Sequence, residues 1–125
     1  MMGLALGSTL LAGGQEQEKT APPAPAKRPR YKLEIEIFEA RPDTWCHKKG
    51  DKFAYPEDSG KICPWLLSSL HDFLILLQKG VTLPWMYENT PYAKVIDPEG
   101  VTTEYVRCPD PTSGLVAKIV RTRVS

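Results

Sequence analysis

The sequence predicts an α+β fold, in which a small antiparallel sheet of four to five strands packs against one main helix. Three observations support this prediction. Apolar and charged residues alternate from Tyr31, an amphipathic pattern runs through residues 64–79, and three further strand-like segments follow. The predicted order is strand, strand, helix, strand, strand, strand. These elements occupy residues 31–125, which we interpret as one domain.

The first two strands are predicted from short, regular patterns. In residues 31–37 (YKLEIEI) apolar side chains alternate with charged ones, a period of two that is typical of a half-buried strand. This strand is expected to end before Pro42. Residues 52–55 (KFAY) predict a second strand, which begins after a Lys-Gly-Asp turn and stops at Pro56.

The helix is predicted from its two ends and its apolar face. Pro64 suits the first helical position, where its missing N–H would have no partner. Gly80 suits the residue after the helix, which often adopts a left-handed conformation. The broad apolar face predicts packing across a sheet. It comprises Trp65, Leu66, Leu67, Leu70, Phe73, Leu74, Leu76 and Leu77.

The remaining chain predicts an aromatic loop and three strands. Residues 81–91 (VTLPWMYENTP) form the loop. Residues 92–96 and 101–107 flank the turn residues Asp-Pro-Glu-Gly, which predicts a hairpin. The last strand is expected over residues 115–121.

The N-terminal part has a different composition from the domain. Residues 1–14 are small and apolar and resemble a secretory signal, which predicts export to the periplasm or the medium; without such a signal the protein would be cytoplasmic. This segment is too short to span a bilayer, and no transmembrane span is predicted in the domain. Residues 15–30 contain four prolines and no large apolar residue, as expected of a disordered linker.

Charge and motifs exclude several functional classes. The net charge is +1 and the basic residues are scattered, so nucleic acid is not an expected partner. The sequence contains no glycine-rich phosphate loop, zinc-protease motif or nucleophile elbow. We therefore leave open whether the protein is an enzyme, with the sequence favouring a non-enzymatic role.

Three cysteines at turns are the candidate functional residues. Cys46 follows the first strand, Cys63 precedes the helix and Cys108 precedes the last strand. If the first and last strands pair antiparallel, Cys46 and Cys108 lie at the same end of the sheet. Cys63 joins them if residues 56–62 run back along the sheet, a distance that seven extended residues can cover.

Three interpretations of these cysteines are open. The first is a zinc or iron site with Cys46, Cys63 and Cys108 as ligands and His47 as a fourth, although His47 also suits a solvated loop position. The second is one disulfide and one free thiol. The third is a set of reactive thiols, with Cys63 at the helix start as the candidate catalytic nucleophile.

Aromatic residues suggest a binding surface. Trp45, Trp65 and Trp85 each lie near a turn, and we consider them as lining a shared apolar pocket for a ligand or as closing the core of a small domain. A different functional class is a structural or protein-interaction module. In that case residues 81–91 form the contact surface and the cysteines are only structural.

Four motifs together resemble a family of small uncharacterised bacterial and archaeal proteins of about a hundred residues. The motifs are residues 46–53 (CHKKGDKF), 62–65 (ICPW), 80–85 (GVTLPW) and 108–110 (CPD). The resemblance implies a prokaryotic protein whose recurring cysteines, Cys46, Cys63 and Cys108 here, form a site. The expected function is a small exported domain with a cysteine-lined site that binds a metal or small ligand, or that is redox-sensitive.

Overall fold

The computed structural model describes residues 28–125. The predicted signal-like segment and most of the predicted linker lie outside these residues. Four strands and one main helix form the described part, which confirms the α+β fold class. The elements are β1 (Tyr31–Glu39), β2 (Lys52–Tyr55), a short 3-10 helix (Ser59–Lys61), α1 (Pro64–Gln78), β3 (Val101–Arg107) and β4 (Val116–Arg123).

The sheet is antiparallel throughout, with the strand order β2-β1-β4-β3. The first and last strands therefore pair at the centre of the sheet, which is the condition for Cys46 and Cys108 to lie at the same end. Ile35 lies opposite Ile119, and Ile37 lies opposite Ala117. All four of these side chains are buried. The alternation in β1 thus places one face against the helix and leaves its charged residues on the other face.

The helix packs on the sheet through a row of leucines. Leu66, Leu70, Leu74 and Leu77 are buried, and each contributes about 1.5–3 kcal/mol through burial. The helix begins at Pro64, as predicted. At its other end Gly80 has a φ of +85°, and the N–H groups of Gly80 and Val81 donate to the carbonyls of Leu77 and Leu76. This arrangement is a Schellman motif, which explains the glycine. Within residues 28–125 no helix is long and apolar enough to cross a membrane.

One predicted strand is not a regular strand in the structure. Residues 92–96 run beside β3, and Val95 accepts a hydrogen bond from the Thr103 backbone N–H. The N–H groups of Val95 and Asp97, however, donate to the hydroxyls of Thr103 and Thr102. Side-chain hydroxyls therefore replace the backbone acceptors that a ladder needs. The result is an irregular segment that covers the edge of β3.

Candidate functional site

The fold brings Cys46, His47 and Cys63 together in one cleft. Cys46 lies in the loop after β1, and Cys63 is the residue that precedes α1. Ile62 is buried in the core, which fixes the chain just before Cys63. The three residues line a cleft of about 280 Å³, together with Trp45, Gly60, Lys61, Ile62 and Pro64. Cys46 and Cys63 are half-buried, and both line this cleft.

Cys108 is the buried member of the three cysteines and lies close enough to Cys46 to raise the pKa of its thiol. It is 3% exposed and belongs to the hydrophobic core, against which Cys46 and Cys63 also pack. Its backbone N–H donates to the carbonyl of Leu115, at the start of the last strand. The antiparallel pairing of β1 with β4 thus places the third thiol at the same end of the sheet. All three cysteines are free thiols.

His47 holds the Cys46 loop against the start of the helix. Its Nε2 accepts a hydrogen bond of 2.9 Å from the backbone N–H of Cys63, and its ring packs edge-on against Phe53 at 5.1 Å. The side chain is buried, so the expectation of a solvated loop position is wrong. Burial lowers the pKa of His47, and the nearby Asp51 only partly opposes this effect. A neutral ring is therefore the form that fits the site.

Burial also controls the ionisation of Cys46. Loss of solvent raises the pKa of the Cys46 thiol, and the nearby sulfurs of Cys63 and Cys108 raise it further. Hydrogen bonds from the backbone N–H groups of His47 and Cys46 act in the opposite direction, and each is a smaller effect than burial. Cys46 is thus kept as a protonated thiol, and its ionisation depends on the charge of the other two cysteines.

The four predicted metal ligands do not form a ready metal centre. The Nε2 atom of His47 is already used by the Cys63 N–H, which removes one ligand atom from the predicted Cys₃His set. Among residues 28–125, no group of three or more His, Cys, Asp or Glu side chains is arranged to hold a metal ion. The same hydrogen bond prevents Nε2 from serving as a base for the Cys63 thiol.

The three tryptophans do not share a pocket. Trp45 lines the thiol cleft and is 77% exposed, whereas Trp65 and Trp85 are 51% and 49% exposed and are not among the residues of that cleft. Trp85 instead covers the ammonium group of Lys94 at 5.7 Å. None of the three closes the core, because the leucines of α1 and the isoleucines of β1 already fill it.

Sequence reasoning missed three buried charged side chains. Lys94 and Glu104 form an ion pair of 2.7 Å in which both side chains are almost completely buried. Arg121 is 1% exposed and donates to the carbonyl of Leu77 and the hydroxyl of Thr102. Glu104 lies in β3 and Arg121 in β4. The alternation of side chains along each strand could have indicated that both residues face the helix.

No family model, curated protein or solved structure matches this chain. The resemblance drawn from its motifs stays a prediction.

The burial of His47 predicts a pH-dependent stability. The unfolded chain binds a proton at the ordinary histidine pKa of about 6.5, whereas the folded protein resists protonation to lower pH. The unfolded state therefore holds more protons in this window, and the free energy of unfolding should fall as the pH drops below about 6.5. Urea denaturation between about pH 5 and pH 8 measures this slope.

Two variants identify the group responsible. His47→Phe keeps the ring but removes the acceptor for the Cys63 N–H, so we expect a loss of about 1–3 kcal/mol at pH 8 and a flatter pH profile. His71→Gln is the matched control, because His71 is exposed on the helix. A pH slope that persists in His47→Phe would contradict the assignment.

Proposed function

We propose that this domain is a redox-sensitive thiol module, in which Cys46 and Cys63 form a reversible disulfide. The observation that carries the proposal is that both half-buried thiols line one cleft, with the intervening His47 bonded to the backbone of Cys63. Exposed disulfides are the kind that act as labile, regulatory bonds.

Formation of the disulfide needs an oxidant, and the oxidant in this proposal is a low-molecular-weight disulfide. The sulfur of Cys63 attacks one sulfur of this oxidant, which forms a mixed disulfide and releases one thiolate. The sulfur of Cys46 then attacks the mixed disulfide, forms the Cys46–Cys63 bond and releases the second thiolate. The two released thiolates take up the two protons that the cysteines lose and become thiols. We assign the second step to Cys46 because its raised pKa disfavours a first attack.

Cys108 is the thiol left over in this scheme. It is buried in the core, whereas the other two cysteines are half-buried and line the cleft. An odd number of cysteines leaves one unpaired when a single disulfide forms. In our proposal Cys108 stays reduced and its role is packing.

An oxidising compartment is the setting that suits this chemistry. Disulfides persist in secreted and periplasmic proteins, where no strongly reducing thiol pool removes them. Export, which the apolar segment 1–14 suggests, is therefore part of the proposal. The cleft supports a metal-binding or ligand-binding site less well than a disulfide, because the Nε2 atom of His47 is already hydrogen-bonded to the Cys63 N–H.

The test counts thiols after equilibration with oxidised and reduced glutathione. After strong oxidation we expect one thiol per chain to react with a maleimide once the protein is denatured in urea, because Cys108 is buried in the native state. Peptide mapping should find Cys46 joined to Cys63. Cys108→Ser is the matched control and should form the same bond, with no free thiol remaining. Cys46→Ser and Cys63→Ser should form no intramolecular disulfide.

Two results would overturn the proposal. One is three reactive thiols at every glutathione ratio, and the other is a disulfide that includes Cys108.

The experiment also separates the proposal from a second candidate function, a protein-interaction module. Val81, Trp85 and Tyr87 are each more than 40% exposed in the loop 81–91, which favours a contact surface there. A module that uses only this loop would leave Cys46 and Cys63 unpaired.

A further inference from the structure

A second cavity lies on the face of the sheet that points away from the helix. It has a volume of about 200 Å³ and is lined by Tyr87, Tyr92, Tyr105, Arg107 and Val116. In the register of β3 with β4, Tyr105 pairs with Lys118 and Arg107 pairs with Val116. These residues alternate with Glu104 and Val106, which are buried on the helix side. The cavity is therefore separate from the thiol cleft.

The aromatic side chains at this cavity pack against one another, which fixes their positions. Tyr92 and Tyr105 meet edge to face at 5.6 Å, and Phe38 packs edge-on against both rings at 6.1 and 5.0 Å. Phe38 lies at an irregularity in the pairing of β1 with β4, between Ile37 and Glu39. Such a bulge redirects a side chain, here towards the tyrosines. A preformed aromatic wall avoids the entropy loss of ordering it on binding.

Arg107 gives the cavity a positive charge. It is exposed, and within residues 28–125 no carboxylate lies within ion-pair distance of it. Glu39 accepts a hydrogen bond of 2.6 Å from the Tyr92 hydroxyl. This bond raises the pKa of Tyr92 and keeps its hydroxyl protonated. Arg107 also interacts with the Tyr92 hydroxyl and partly opposes the rise in its pKa. A guanidinium carries five N–H donors, so further donors of Arg107 remain for a ligand.

The size of the cavity limits the ligand. An apolar cavity of about 150 Å³ holds one benzene molecule, so about 200 Å³ suits a single ring with one small substituent. Tyrosine rings favour stacked or edge-on contact with another ring. A guanidinium favours a carboxylate, which it binds through two parallel hydrogen bonds.

We propose that this cavity binds a small aromatic carboxylate, with its ring against the Tyr92 and Tyr105 rings and its carboxylate on Arg107. The proposal is independent of the thiol chemistry, because no cysteine lines this cavity.

The test is a titration of the full chain with benzoate, benzyl alcohol or benzylammonium. Binding is measured from the changes in the NMR chemical shifts of the protein. We expect saturable binding of benzoate with a dissociation constant below about 10 mM. Arg107→Gln should weaken benzoate binding by about tenfold or more, because a hydrogen bond to a charged group is lost. Binding of the neutral benzyl alcohol should stay unchanged. Arg123→Gln, at the other end of β4, is the matched control and should bind benzoate as the wild type does.

Three outcomes would overturn the proposal. The first is no saturable shift with benzoate, and the second is equal benzoate binding by Arg107→Gln and the wild type. The third is tighter binding of benzylammonium than of benzoate, which would indicate an aromatic cage for a cation that uses Glu39. Arg107 is exposed, so its replacement should leave folding intact.

Discussion

Replacement of Lys94 by Met is expected to lower the free energy of unfolding by about 3–5 kcal/mol. The physical reason is that the carboxylate of Glu104 would remain buried without its partner. In the native protein the ammonium of Lys94 lies 2.7 Å from this carboxylate, and the two side chains are 1% and 3% exposed. Removing one member of such a pair is much more costly than removing both.

The surroundings of Lys94 explain why the pair is completely enclosed. The ammonium lies under the rings of Trp85 and Tyr87, at 5.7 and 5.4 Å from their centroids. It also donates to the carbonyl of Leu83 at 3.4 Å. The pair therefore fastens the loop 81–91 to the edge of β3, and the single replacement should loosen this loop as well as destabilise the domain.

The measurement is urea denaturation followed by circular dichroism for the single and double variants. Glu104→Gln keeps an acceptor for the backbone N–H of Tyr105, which Glu104 binds at 3.0 Å. We expect the double variant Lys94→Met/Glu104→Gln to be more stable than Lys94→Met, with a coupling energy of about 2 kcal/mol. Additive effects in this cycle would contradict the role we assign to the pair.

Replacement of Arg121 by Met is expected to lower the free energy of unfolding by about 3 kcal/mol, and the melting temperature by about 15 °C. Arg121 is a buried cation without a buried carboxylate partner among residues 28–125. Its stabilisation comes from other groups. It donates at 3.1 Å to the carbonyl of Leu77 in the last turn of α1, and its guanidinium lies 4.3 Å from the ring centroid of Tyr31.

These contacts use the negative end of the helix dipole and the face of an aromatic ring. Burial lowers the pKa of Arg121, but a guanidinium stays charged at all physiological pH values. Met would fill part of the space and leave the Leu77 carbonyl and the Thr102 hydroxyl without this donor. The loss should therefore exceed that of an ordinary surface replacement.

Arg123→Met is the matched control for this prediction. Arg123 lies on the same strand and pairs with Glu99 at 2.9 Å, but Glu99 is 78% exposed. An exposed pair contributes about 0–1 kcal/mol, so this variant should stay close to the wild type in thermal denaturation. Equal losses for Arg121→Met and Arg123→Met would show that the contacts with Leu77 and Tyr31 contribute little.

The end of β3 connects the two sites that we propose. Arg107 is exposed and lines the aromatic cavity, whereas the next residue, Cys108, is buried beside the thiol cleft. Consecutive residues at a strand end point to opposite faces, which is why two adjacent positions contribute to different sites. The proposals can therefore be tested independently.

Much of the fold could be predicted from local patterns. The alternation from Tyr31 predicted β1 and its buried face, and Pro64 and Gly80 predicted the two ends of the helix. These signals work because strand and helix periodicity repeat over a few neighbouring residues. The segment 92–96 was predicted wrongly as a strand, because the hydroxyls of Thr102 and Thr103 took the hydrogen bonds of a regular ladder.

The sequence by itself thus determined the fold class, the limits of the helix and the cysteines as candidate site residues. Only the tertiary structure decided that His47 is buried against Cys63, that Lys94 pairs with Glu104, and that the three tryptophans stay largely exposed. The reason is physical. Periodicity is a local property, whereas the partner of a buried polar or charged group depends on which distant segments the folded chain brings into contact.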